Sequence, residues 1–283
     1  MNKYLQRFIS YLEVEKGYSE NTIKTYTWIV QDFLSFLKEY KIRLAKTRKK
    51  EISSYIRMLR QERKNASRTI RLKLETLRSF FNFLADQTRL FSHSPILEKD
   101  FKYKVETKEA QSISEDQIDA LLDTAEEQRL EIIADMNATI GKMVLWKKRL
   151  FAVKRDLIIL KLLLSTGLRI SEALGIQYSD IDFENKTIRI LGKGKKCREV
   201  FFDLEEIEPE FLEYLAEWQE LDTDHEYIFV SIKVYAKLSV RGFQVLLKKY
   251  LKKAGLSQSV TPHVLRHTFA TICIEKGANI KAV

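Results

Sequence analysis

Apolar residues recur at three- and four-residue spacing through most of this sequence, and little interrupts them: 283 residues contain only 9 Gly and 3 Pro. That spacing lines one side of a helix with apolar side chains, whereas the period of two that marks a strand covers one short stretch. The shortage of turn-formers argues against a loop-rich all-β chain, and the many Leu, Lys, Glu and Arg favour helix. The fold class expected is mainly α with a small antiparallel β-sheet, and the length allows two domains.

The first domain is expected over 1–96. Tyr4, Leu5, Phe8, Ile9 and Leu12 form one helical stripe that Gly17 stops. Ser19 is placed to cap a second helix, with Ile23, Tyr26, Ile29, Val30, Phe33 and Leu37 on its buried face. The runs EISSYIRMLRQER and, opened by Ser67, SRTIRLKLETLRSFFNFLADQ supply a third and a fourth. Four amphipathic helices make a small bundle, and aromatics on helical spacing belong to its core. Residues 97–112 are charged, lack periodicity and follow Ser94-Pro95, so they read as a linker.

The second domain, 113–283, opens on a capping box from Ser114 to Gln117. A helical segment at 126–152 follows. The helix VKRDLIILKLLLSTG is apolar enough to be buried. TIRILGKGKKCREVFF then reads as two strands around a turn. Helices resume at EPEFLEYLAEWQE, after Ser239, and after Thr261 with Pro262 at the first helical position.

Net charge is +10, unevenly spread. Residues 1–110 hold 24 Lys and Arg against 13 Asp and Glu, a net of +11; residues 111–283 hold 25 against 26, a net of −1. A basic half of this kind is the footprint of a nucleic-acid binder, although a solubilising surface has the same composition. Cys197 and Cys273 cannot make a disulfide framework and suit a reducing compartment. The N-terminus lacks the apolar run of a signal peptide, and LIILKLLL at 157–164 is too short for a bilayer, so a cytoplasmic protein is expected.

Three basic spots carry chemistry. In STGLRISEALGI, Arg169 opens a helix with Glu172 one turn on, so the carboxylate can orient a guanidinium whose fork grips phosphate oxygens. Taken alone, a solvated i,i+3 pair is the ordinary alternative. In LGKGKKCREV, Lys193 sits at a hairpin tip, where it can protonate a leaving-group oxygen or be an ordinary solvated turn lysine. In TPHVLRHTFAT, His263 and Arg266 share one helical face with His267 beside them; a metal site is disfavoured because no Glu adjoins His263 and few His or Cys remain to complete a shell.

Taken together and in this order behind a basic helical domain, TGLRISE, GKGKK and PHVLRHTFAT resemble the boxes of the tyrosine recombinase (phage integrase) family, particularly its Xer-like branch. The resemblance covers nearly the whole chain and implies a SAM-like core-binding domain followed by a catalytic domain. It also implies site-specific DNA recombination, in which a tyrosine attacks a DNA phosphate to give a 3′-phosphotyrosyl link and a free 5′-hydroxyl, without cofactor or metal. By position, Arg169 and Arg266 would clamp the phosphate, Glu172 orient Arg169, Lys193 protonate the leaving group and His263 assist proton transfer. His267 would be structural. The implied partner is a double-stranded DNA site, bound by a homo-oligomer (dimer on a site, tetramer in the synapse) in the nucleoid and away from membranes. Charge and position nominate Lys24, Lys46, Arg48, Lys49, Arg68, Arg71, Lys73 and Arg241 for DNA contact.

The family pattern continues with a Gly-His motif and the tyrosine nucleophile. Here the last tyrosine is Tyr250, upstream of Arg266, so a C-terminally truncated chain that binds DNA without cleaving it is expected. A non-catalytic DNA-binding factor on the same fold is the alternative, argued against by the retention of Arg169, Lys193, His263 and Arg266. A type IB topoisomerase-like enzyme is disfavoured by the Xer-like boxes. Only against the family resemblance is the segment at 126–152 longer than expected before Arg169, which makes it an expected insertion packed on the domain surface.

Overall fold

The computed structural model describes residues 2–97, 100–101, 112–138, 143–192, 197–201, 208–221 and 226–278. The chain divides into two compact units, Met1–Lys108 and Glu109–Val283.

The first unit is built from α1 (Lys3–Ser10), extended by a π-turn at Tyr11–Glu15, then α2 (Glu20–Glu39), α3 (Lys49–Gln61) and α4 (Ser67–Thr88). The Ser19 side chain accepts the Thr22 N–H and so caps α2, while Gly17 takes φ +60° to turn the chain out of the first helix. The core is aromatic. Phe8 packs on Phe80 at 5.1 Å between ring centroids, and Phe33 meets Tyr55 edge-on at 5.0 Å. Ile96 lies in this core, and the buried Asp100 accepts the Leu97 N–H and an ammonium bond from Lys49. Leu97, Asp100 and Phe101, from the stretch read as a linker, are therefore held on the first unit.

The second unit is organised around α6 (Met143–Thr166), buried almost continuously from Phe151 to Leu163 and packed against α5 (Glu115–Ala138). The Ser114–Gln117 capping box forms, each side chain taking the other's backbone N–H at 3.1 and 3.3 Å. The described parts of 126–152 continue α5 and α6, which reach 24 residues each; residues 139–142 lie outside the described residues. Beyond the core the lengthened helices leave Leu130, Met143, Val144 and Leu145 exposed.

The short α7 (Ile170–Ala173) follows, then a three-stranded antiparallel sheet, β1 (Ile181–Asp182), β2 (Thr187–Leu191) and β3 (Cys197–Phe201), in the order β1-β2-β3. β2 and β3 form the expected hairpin, with Ile190 opposite Arg198 and Leu191 opposite Cys197. Two residues of β1 are too few to show a period of two in sequence. α8 (Glu208–Gln219), α9 (Val240–Lys253, capped by Ser239) and α10 (Pro262–Glu275) complete the unit, with α8 and α10 packed against α6.

One polar element is embedded in this core. Arg155 and Asp156, both buried, pair at 2.5 Å; Arg155 also donates to the Val230 carbonyl, and the Tyr250 hydroxyl donates to Asp156. Burial pushes the Asp156 carboxyl above its ordinary range, against the opposing pull of Arg155.

Candidate active site

The site begins where α6 ends. Gly167 adopts φ +59°, a left-handed conformation that stops the helix, and a Cβ there would lie 2.2 Å from the Phe269 ring. Both requirements restrict the position to glycine. Leu168 is fully buried and anchors the turn, so Arg169 emerges as the capping residue of α7 with an extended backbone.

Glu172, one turn later, folds back on that arginine. Its Oε2 accepts the Arg169 backbone N–H at 3.0 Å and its Oε1 accepts from Arg169 Nη1 at 2.9 Å. Burial disfavours the Glu172 carboxylate, but hydrogen bonds from Arg198, the Arg169 backbone and the Arg169 guanidinium outweigh it and bring the pKa down to about 2. The carboxylate is thus ionised at any physiological pH. Its side chain is 7% exposed while that of Arg169 is 51% exposed, so the orienting group is covered and the oriented one open to solvent.

The second arginine arrives from α10. Thr261 caps this helix by accepting the Val264 N–H, and Pro262 fits the first position, where no N–H is needed. Leu265 and Thr268 face the core, and the Thr268 hydroxyl accepts the Ile113 N–H, pinning the helix to the start of the unit. Arg266 then reaches back to the turn before α7, where its Nη1 donates to the Gly167 carbonyl. Burial lowers the Arg266 pKa; Arg169 and Arg198 lower it further and Glu172 opposes them, so these four ionic groups share one electrostatic environment.

His263 is exposed one turn before Arg266, on the same face of α10. His267 is also exposed, and its backbone carbonyl accepts from the Thr271 hydroxyl one turn on. Lys193 lies outside the described residues. Arg198, which sequence reasoning did not nominate, is the other partner of Glu172, at 2.8 Å.

The nominated DNA contacts divide. Lys46, Arg48, Arg68 and Arg241 are exposed. Lys24 and Arg71 are exposed in one-turn pairs with Glu20 and Glu75, bonds weak enough in water to be exchanged for a phosphate. Lys49 is committed to the buried Asp100. Lys73 cannot contact DNA: its side chain is 2% exposed and its ammonium bonds Asp32 at 2.6 Å beneath the Trp28 ring. The sequence carried that signal, since Lys73 falls three residues after Ile70 and four before Leu77, on the buried stripe of α4.

Among the described residues no group of three or more His, Cys, Asp or Glu is arranged to hold a metal, and no helix is long and apolar enough to cross a membrane.

A helical bundle followed by a mostly helical unit, which brings an arginine after its longest buried helix beside one from a later helix, defines the integrase class of folds. Residues 5–88 match the family profile described as the N-terminal SAM-like domain of phage integrase, and residues 111–283 match the phage integrase family itself. The chain belongs to the phage integrase family of tyrosine recombinases. It is 32% identical to the tyrosine recombinase XerC of Anoxybacillus flavithermus, over 100% of this chain and 88% of that protein. XerC of Staphylococcus saprophyticus is also 32% identical, over 100% and 87%. In fold it is similar to the XerH site-specific recombinase bound to a palindromic difH substrate, with a TM-score of 0.72 at 19% identity over 96% of this chain and 74% of that one.

Proposed function

We propose that this protein is a site-specific DNA recombinase that cuts and rejoins strands through a 3′-phosphotyrosyl intermediate. The observation that carries the reading is the convergence of Arg169 and Arg266 on the turn at Gly167, with Glu172 holding Arg169. A planar guanidinium offers parallel N–H donors that match two phosphate oxygens, and two of them stabilise the extra charge of a pentacovalent transition state. The family membership and the XerC relatives support the same reading.

In the proposed reaction, a tyrosine Oη forms a bond to phosphorus as the bond from phosphorus to the 5′-oxygen breaks. Lys193 gives that oxygen its proton, and His263 assists removal of the proton from the tyrosine. Arg169 and Arg266 hold the non-bridging oxygens, and Glu172 acts through Arg169. Residues 1–96 serve as the DNA-binding domain, residues 97–112 as the connection and residues 113–283 as the catalytic domain. Lys24, Lys46, Arg48, Arg68, Arg71 and Arg241 are assigned to the DNA backbone, and the protein to the nucleoid in the cytoplasm, working as a homo-oligomer on double-stranded DNA.

The test uses the product of the entire reading frame. Incubated with a nicked duplex of its target site, that protein is expected to form a detergent-resistant protein–DNA adduct through a tyrosine 3′-phosphate. DNA binding without an adduct on any target would instead make the protein a non-catalytic DNA-binding factor.

A further inference from the structure

We infer that Arg198 is a positioning residue for this reaction: it saturates Glu172 and thereby keeps the second edge of the Arg169 guanidinium free for phosphate. The inference rests on the clamp assigned above. An ionised carboxylate has two oxygens and about four acceptor sites. Oε1 of Glu172 takes Arg169 Nη1 at 2.9 Å and Arg198 Nη1 at 3.4 Å; Oε2 takes the Arg169 backbone N–H at 3.0 Å and Arg198 Nη2 at 2.8 Å. Each oxygen therefore accepts once from Arg169 and once from Arg198.

Arg198 spends both terminal nitrogens on Glu172, whereas Arg169 spends one, and Arg169 donates no other side-chain hydrogen bond among the described residues. If Arg198 were absent, the carboxylate could rotate to take two Arg169 nitrogens, the fork-to-fork geometry that Arg–carboxylate pairs favour. That rotation would withdraw from the phosphate the donors Arg169 has to offer. The charge balance points the same way: two guanidiniums and one carboxylate leave a net positive charge beside Arg266, whereas Arg169 and Glu172 alone cancel. β3 supplies the geometry. Pairing with β2 places Arg198 opposite Ile190, whose side chain is buried, and fixes the backbone from which the guanidinium reaches α7.

The test is a double-mutant cycle in the product of the entire reading frame, reading target-site affinity separately from single-turnover adduct formation at saturating DNA. Arg198→Ala should leave affinity nearly unchanged while slowing adduct formation about tenfold or more, the scale of one weakened transition-state hydrogen bond. Arg198→Lys, which keeps the charge without the fork, should fall between. The decisive variant is Glu172→Gln/Arg198→Ala. With no carboxylate charge left to capture Arg169, removing Arg198 should cost no more than about threefold over Glu172→Gln alone. If Arg198→Ala reacts like the parent, or if the two losses simply multiply because Arg198 only braces β3, the inference is wrong. A crystal structure of Arg198→Ala decides the matter without catalysis, and so separates this inference from the function it rests on. It should show Glu172 bonded to two nitrogens of Arg169; the single bond left as it is would overturn the proposal.

Discussion

At Gly167 a left-handed turn, the Phe269 ring and the Arg266 guanidinium meet. An alanine there would carry the cost of a left-handed backbone, about 1–2 kcal/mol, in addition to displacing a ring that would lie 2.2 Å from the new Cβ. Displacing Phe269 moves α10 and therefore Arg266. Gly167→Ala is expected to lower the urea midpoint of the catalytic unit modestly and to depress adduct formation much further. A loss of activity no larger than the loss of folded protein would show that the turn serves stability alone. Residue identity was the most legible layer of this protein. Arg169, Glu172, His263 and Arg266 stand out because the boxes that hold them resemble one family's in content and order; spacing alone leaves a solvated pair or a core histidine as the ordinary alternative. Arg198 did not stand out, because its role depends on an interaction between a strand and a helix 26 residues apart. The buried Arg155–Asp156 pair was equally hidden: its completing partner, Tyr250, is 94 residues away.

Between elements, Asp32 ties three helices of the first unit. From α2 its carboxylate accepts the Tyr55 hydroxyl of α3, the Lys73 ammonium of α4 and the Arg63 guanidinium, each at 2.6 Å. Burial alone would raise the Asp32 pKa, but the bonds from Lys73, Tyr55 and Arg63 reverse that and bring it down to about 2. A folded-state pKa below the unfolded one means that this contribution to stability is complete above the unfolded value and is lost as pH falls through the folded one. The stability difference between the parent and Asp32→Asn should therefore be constant near neutrality and shrink as pH drops from about 4 towards about 2. Urea titrations at stepped pH measure it; a difference that does not change over that window would contradict the network. Helix existence and caps at this scale were readable from Ser19, Ser114, Ser239 and Thr261. The lengthening of α5 and α6 was not, because periodicity alone cannot distinguish an added helix from a longer one.

For the whole molecule, the charge imbalance makes a quantitative demand. If the first 110 residues bind the DNA backbone, the logarithm of affinity falls steeply with the logarithm of salt, and every phosphate left unneutralised by a substitution reduces the slope by about 0.9. Removing Lys46 or Arg68, both exposed, should weaken binding to all sequences and flatten the slope by about that amount, whereas Lys73→Met should damage folding and leave the slope alone. A slope insensitive to Lys46 and Arg68 would remove them from the interface.

In the proposed mechanism Arg169 works by its fork and not merely by its charge. Arg169→Lys keeps the charge and loses the paired donors. In the product of the entire reading frame, this variant should bind its target within a few-fold of the parent and form essentially no covalent adduct on a nicked duplex. An adduct formed at the parental rate would show that charge alone suffices and that the fork has no part in the reaction.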